Sequence, residues 1–305
     1  MLWAYCRLPP RPAWRASEIE KLAVTHFMNH FPPVLQIRSL TKHYGGVKAL
    51  TDAHFQLAAG EHAAIVGDNG AGKSTFVRLI TGVEQPNEGQ MLLEGQAVSF
   101  KSPLDARDQG IETVYQTLAL AEDLDVPANI FLGREITRFN LGPLSVLNHR
   151  AMREKSLDML ATTGVKIQDM TESLRGMSGG QRQCVAIARA AGFAKKLIIL
   201  DEPTAALGVA ETARVEKIIQ GLKVQGVPLI VISHNLRQVF DLVDRIWVFR
   251  QGRIICNRLR SQTNPEEIVG LITGAIDPQA LTPDPMAVLP LEPKPALNNA
   301  ALETA

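Results

Sequence analysis

Cysteine is scarce in this chain, and the three present, Cys6, Cys184 and Cys256, are far apart with no CxxC pair. That spacing excludes a disulfide framework or a cysteine zinc site and suits a reducing compartment. Cys184 falls within the apolar helical pattern "QCVAIARAA", where it reads as a small buried hydrophobe. An excess of charge is missing too: 32 basic against 31 acidic residues leave a formal net charge of +1. Nothing electrostatic therefore argues for a nucleic-acid partner. No run approaches the ~20 apolar residues of a membrane span. The opening stretch "MLWAYCRLPPRPAWRASEIEKLAVTHF" has prolines and charges where a secretory signal would have an unbroken apolar segment.

Residues 1–33 read as a disordered extension, or as the result of a start assigned ahead of Met28, because strand pattern begins only at about Val34. Residues 276–305, with six prolines between Pro278 and Pro295, read as a disordered tail. Between them, short apolar runs alternate with longer helical stretches. "HAAIV", "ETVY", "LIIL", "LIVI" and "RIWVF" resemble parallel strands buried on both faces. "LQIRSLTKHY" alternates as an edge strand would, and "QG" at Gln251–Gly252 marks a hairpin turn. "GKSTFVRLITG", "GQRQCVAIARAAGF" and "AETARVEKIIQGLKVQG" carry helical spacing. The segment from about Val126 to Leu174 has little strand character and reads as a helical insertion. The fold class is α/β, with an antiparallel β portion near the N-terminus, and no internal repeat is evident.

"GDNGAGKST", Gly67–Thr75, follows an expected strand and opens an expected helix, the setting in which GxxxxGK[ST] binds phosphate. Gly67, Gly70 and Gly72 let the backbone turn successive amides toward an anion, with Asp68, Asn69, Ala71 and Thr75 completing the loop. The helix adds the positive end of its dipole. Lys73 is expected on the β- and γ-phosphates, and the Ser74 hydroxyl on Mg²⁺. Farther on, "LIIL" delivers Asp201 and Glu202 to the carboxyl edge of the sheet, where ligands of open α/β folds bind. Asp201 suits the metal, and Glu202 suits polarisation of the attacking water.

Together with "MSGGQRQ" at Met177–Gln183, these motifs resemble the nucleotide-binding subunits of ATP-binding-cassette (ABC) transporters, whose signature normally begins with leucine. The resemblance covers residues 34–275 and implies a P-loop ATPase core with a helical subdomain at about 117–190. It implies ATP and Mg²⁺ as cofactors. Ser178, Gly179 and Gly180 would contact the γ-phosphate of an ATP held by a second subunit, with Gln181 supporting the loop. Tyr44 would stack on adenine, Gln116 would join metal and water, and His234 would bridge the γ-phosphate and Glu202. Gly208 departs from the family, which usually has an aspartate there making contacts across the dimer. Glycine cannot supply those contacts, although its flexible backbone admits a different loop path.

"QTLALAEDLDVPANIFLGRE" and "AALGV" look like the ATPases of bacterial monosaccharide importers taking up ribose, xylose or fructose. One phosphate loop and one signature place the chain with single-cassette members, which would homodimerise. The implied partners are multi-span permease subunits and a periplasmic or extracellular sugar-binding protein, at the cytoplasmic face of the inner membrane. The alternatives are an importer or exporter of another solute and a soluble cassette ATPase acting on ribosomes or DNA. The second cassette, coiled coil or zinc insertion of those soluble relatives is absent from the sequence.

Overall fold

The computed structural model describes residues 33–139 and 145–281. Residues 1–32 of the expected extension and 282–305 of the expected tail lie outside them, whereas residues 276–281 are described, with a 3-10 turn at Pro278–Ala280 and with Ile276 and Leu281 packed against the core. Two sheets organise the described residues. Strands β1 (Leu35–Tyr44), β2 (Val47–Leu57), β4 (Glu88–Leu93) and β5 (Gln96–Val98) form an antiparallel sheet in the order β2-β1-β4-β5. Strands β3 (His62–Gly67), β6 (Ile111–Val114), β9 (Leu197–Asp201), β10 (Leu229–Ile232), β11 (Arg245–Arg250) and β12 (Arg253–Leu259) form the second, in the order β12-β11-β3-β10-β9-β6. All its pairings are parallel except β11 with β12. Their hairpin turns at Gln251 and Gly252, with φ 49 and 72, the left-handed pair such turns demand.

The apolar runs of the second sheet are continuous because both faces are covered. Ala64, Val66, Ile198, Leu200, Val231 and Val248 join one core with helices α5 (Gly179–Phe193), α6 (Val209–Val224) and α8 (Pro265–Thr273). Their neighbours Ala63, Ile65, Ile199, Ile230, Trp247 and Phe249 join a second core with the antiparallel sheet and helix α1 (Lys73–Ile80). The scarce aromatics concentrate here: the Phe55 ring lies 5.3 Å from Phe76 and 4.7 Å from Trp247, fastening the two sheets together.

One sequence expectation needs correction. β1 is not an edge strand: it lies between β2 and β4, and Leu35, Gln36 and Ile37 are all buried. Its alternation comes from one face turning to solvent farther along the strand, past a register shift between Ile37 and Leu40. The insertion also contains a small antiparallel ladder, β7 (Thr137–Phe139) with β8 (Val146–Leu147), besides its helices. Strands this short carry no readable period.

The insertion's helices, α3 (Val126–Ile130) and α4 (His149–Thr162), precede α5. A short helix α2 (Pro103–Asp108) leads into β6, and α7 (Leu236–Leu242) follows β10. Among the described residues no helix is long and apolar enough to cross a membrane. The chain between β6 and α3 has no ladder of its own, yet side chains fix it. Fully buried Asn129 accepts the Ala121 N–H at 2.8 Å and donates to the carbonyls of Ala121, Leu124 and Asp125 at 2.9, 3.1 and 3.0 Å. Arg189 of α5 donates to the carbonyls of Leu118 and Ala119, both at 3.2 Å. Asn129→Ala leaves buried backbone groups unpaired and should lower the unfolding free energy by about 3 kcal/mol. Urea denaturation measures it, and a loss under about 1 kcal/mol would show that water replaces the amide at no great cost.

Candidate nucleotide site

Neighbouring strands of the parallel sheet finish at one level, and each leads into a residue singled out above. β3 ends in the loop Gly67–Thr75, β10 leads to His234, β9 to Asp201 and Glu202, and β6 to Gln116. In the parallel register Ile232 of β10 faces both Ile65 and Asp201. The result is a cleft of about 360 Å³ at the carboxyl edge, lined by Asn69–Thr75, Gln116, Asp201 and Glu202. Lys73, Ser74, Gln116 and the acidic pair are thus brought together by topology, although up to about 130 residues separate them.

The loop is preshaped for an anion. Gly70 and Gly72 have φ 76 and 103, and Gly72 leaves no room for a side chain, because a Cβ there would lie 2.8 Å from the Ala49 carbonyl oxygen. The Lys73 ammonium curls back to donate to the carbonyls of Gly67 and Asp68 at 2.7 and 2.9 Å. Burial pulls its pKa below the usual lysine value, while Glu202, Asp68 and Asp201 act in the opposite direction. The ammonium stands at the N-terminal end of α1, where the helix dipole also favours a phosphate.

Asp201 is pushed above the ordinary aspartate range by burial, and Glu202 beside it adds to the shift. Glu202 adopts left-handed backbone, φ 50, a conformation costing a non-glycine residue on the order of 1 kcal/mol. Its N–H is anchored on the Ile232 carbonyl at 2.9 Å, and its carboxylate meets His234 Nδ1 at 2.9 Å. The Glu202 side chain is 17% exposed and that of His234 74%, so the histidine holds the glutamate from the solvent side and keeps a ring face open.

Other expected residues do not line the cleft itself, although the Tyr44 hydroxyl meets the Thr75 side chain at its rim. Tyr44 stands at the end of β1, its hydroxyl donating to Glu84 and the Lys42 ammonium 5.2 Å from its ring centroid. Ser178 caps α5 in a reciprocal box: its Oγ accepts the Gln181 N–H at 3.2 Å, and its own N–H donates to Gln181 Oε1 at 2.8 Å. Gln181 therefore supports the loop by capping it. Ser178, Gly179, Gly180 and Gln181 do not line the cleft of their own chain. Met177 is buried in the core beside Leu174, as an apolar replacement for leucine should be. Gly208 precedes α6 with φ −68 and ψ 166, extended backbone open to any residue. No left-handed turn requires glycine there.

Sequence reasoning missed several contributors. Val47, Lys48 and Ala49 at the start of β2 form the cleft's outer wall, with Val47 67% exposed. An exposed apolar residue just after the Gly45–Gly46 turn was the available signal. Buried Gln238 accepts from the hydroxyls of Thr204 at 2.9 Å and Ser233 at 3.3 Å, joining the loop after the acidic pair to the strand end before His234. A glutamine inside a short helix gives no sign of such a role.

The family described as ABC transporter matches residues 50–205. The fructose import ATP-binding protein FrcA of Rhizobium meliloti is 44% identical over 81% of this chain and 96% of its own length. The chain belongs to the ABC transporter ATP-binding cassettes. The xylose/arabinose import ATP-binding protein XylG of Sulfolobus acidocaldarius is 43% identical over 79% of the chain and 94% of its own length. The ribose import protein RbsA 2 of Streptomyces avermitilis is 36% identical over 79% of the chain, which spans 47% of that relative. A solved nucleotide-free cassette from an ABC transporter superposes with TM-score 0.66 at 27% identity, covering 79% of this chain and 95% of its own. As a member of this family the cassette is an ATPase subunit, and the membership implies the use of ATP and Mg²⁺.

The electrostatics of the cleft oppose its stability. A raised folded-state pKa at Asp201 contributes stability that is fully present below the ordinary aspartate value and is lost as pH rises through the folded value. At neutral pH the half-buried carboxylate therefore destabilises the cassette. Asp201→Asn should raise the thermal midpoint at pH 7, and the gain should vanish at pH 3.5 or below. An equal midpoint for both proteins at pH 7 would contradict this assignment.

Proposed function

We propose that the cassette hydrolyses MgATP as the nucleotide-binding subunit of a monosaccharide importer. The observation that carries the reading is the convergence of Lys73, Ser74, Gln116, Asp201 and Glu202 on one cleft, with His234 fastened to Glu202. The phosphates lie along the amides of Gly67–Thr75, and Lys73 exchanges its carbonyl partners for the β- and γ-phosphates. The oxygen donors of Ser74, Gln116 and Asp201 line the same cleft and fit a magnesium ion, which takes one carboxylate alongside hydroxyl, amide and phosphate oxygens. Bound there, Mg²⁺ supplies neutralisation of phosphate charge. Glu202 polarises the attacking water, and His234, whose ring keeps an exposed face, holds Glu202 and reaches the γ-phosphate. Tyr44 stacks on adenine from the end of β1.

Residues 34–275 then form one cassette, with 117–190 as its helical subdomain and 1–33 and 276–305 outside it. Because Ser178, Gly179 and Gly180 lie off the cleft of their own chain, they serve a second copy, and two cassettes sandwich two ATP molecules. The names of the fructose, xylose/arabinose and ribose import relatives support a sugar as cargo. The same likeness supports a multi-span permease and an external sugar-binding protein as partners, with this subunit at the cytoplasmic face of the membrane and no nucleic acid involved. Sugar specificity then resides in the partners.

Glu202→Gln should reduce ATP turnover at least ~100-fold while nucleotide binding persists. MgATP should convert that variant from monomer to dimer on size-exclusion chromatography. Turnover at the parental rate would remove Glu202 from the mechanism. Uptake of labelled fructose, xylose and ribose by cells carrying the gene with its neighbouring permease tests the cargo, and uptake of none of them would refute the sugar reading.

A further inference from the structure

Glu211, in the first turn of α6, collects three donors from two separate loops. Its Oε1 accepts the Ser178 hydroxyl at 2.7 Å and the Gly180 N–H at 3.3 Å, and its Oε2 accepts the Gly208 N–H at 3.4 Å. Two of these donors belong to the N-terminal end of α5, where the helix dipole favours negative charge. Gly180 permits the approach, since a Cβ there would lie 2.7 Å from the Glu211 Cβ. The Ser178 hydroxyl first, and then the Gly208 amide, hold the Glu211 carboxyl below its ordinary range, so it is ionised at neutral pH. The chain thus fills its own anion-binding corner with its own side chain.

We infer that Glu211 is a resident anion of the signature corner: it keeps the Ser178 hydroxyl and Gly180 amide arranged as donors, and a phosphate of the second subunit's ATP must displace it. The inference rests on the two-ATP sandwich proposed above. Its physical basis is a count of protons. A serine hydroxyl has one proton and an amide has one, so each points fully at either the carboxylate or a phosphate oxygen. Carboxylate and phosphate at the same donors also repel. Glu211 touches neither nucleotide nor reacting atoms, and as a positioning residue it acts through Ser178. Its carboxylate lies at the surface, free to swing into water while the sandwich closes. Glu211 also ties the signature loop to the loop carrying Gly208.

Glu211→Gln keeps the size and one acceptor oxygen but removes the charge, and a charge-assisted hydrogen bond is about twice as strong as a neutral one. In the full-length Glu202→Gln chain, adding Glu211→Gln should lower the ATP concentration for half-maximal dimerisation roughly fivefold. Glu211→Asp, which keeps the charge but shortens the reach to Ser178, should lower it by a smaller factor. The thermal midpoint of the nucleotide-free proteins reads the loss of these hydrogen bonds in the folded chain, and it should fall slightly while the ATP dependence moves the opposite way, toward tighter dimerisation. A half-saturation at or above the parent's in both variants overturns the inference and leaves the sandwich intact. Failure of the Glu202→Gln chain to dimerise with MgATP overturns the sandwich, and the inference with it.

Discussion

Parallel pairing of β3 with β10 and of β10 with β9 is the constraint on which the site depends, because it sets the level at which the strands stop. Ile65, Ile232 and Asp201 are held in one row by backbone hydrogen bonds, and the residues just beyond that row form the cleft. Covering both faces of the sheet with apolar layers secures the row, and the layers reach it through alternate residues of the same strands. Chemistry at the edge can then be crowded and strained. Two adjacent carboxylates, a lysine turned onto its own loop and a left-handed glutamate are tolerated because the sheet beneath them does not yield.

The phosphate loop, the acidic pair and the parallel strands were legible in the sequence because each is contiguous and each has a physical reason for its residue types. Position in a sheet was not: β1 shows the alternation of a half-exposed strand, and nothing in that alternation says whether it has one neighbour or two. The β7–β8 ladder is too short to show a period. The capping box of Ser178 and Gln181 was open to recognition from spacing, but the Glu211 that also takes the Ser178 hydroxyl is 33 residues farther along. Val47 and Gln238 became visible only when distant strands were placed beside one another.

Gly208 is the residue whose meaning changed most. Its departure from the family's aspartate suggested a loop freed to follow another path, yet its backbone is ordinary extended chain. What distinguishes the position is its amide, offered to Glu211. That carboxylate stands three residues later, in the helix's first turn, and its bonds stay within the same chain.

The Arg189 clamp gives α5 the mechanics of a lever. Its guanidinium grips the carbonyls of Leu118 and Ala119, two and three residues past the cleft-lining Gln116, while Ser178 stands at the helix's opposite end. Eleven residues of helix span roughly 16 Å. A rotation of about 10° about the gripped end would carry the serine nearly 3 Å, the length of a hydrogen bond. Small adjustments beside Gln116 would therefore emerge at the far tip as a full exchange of hydrogen-bond partners.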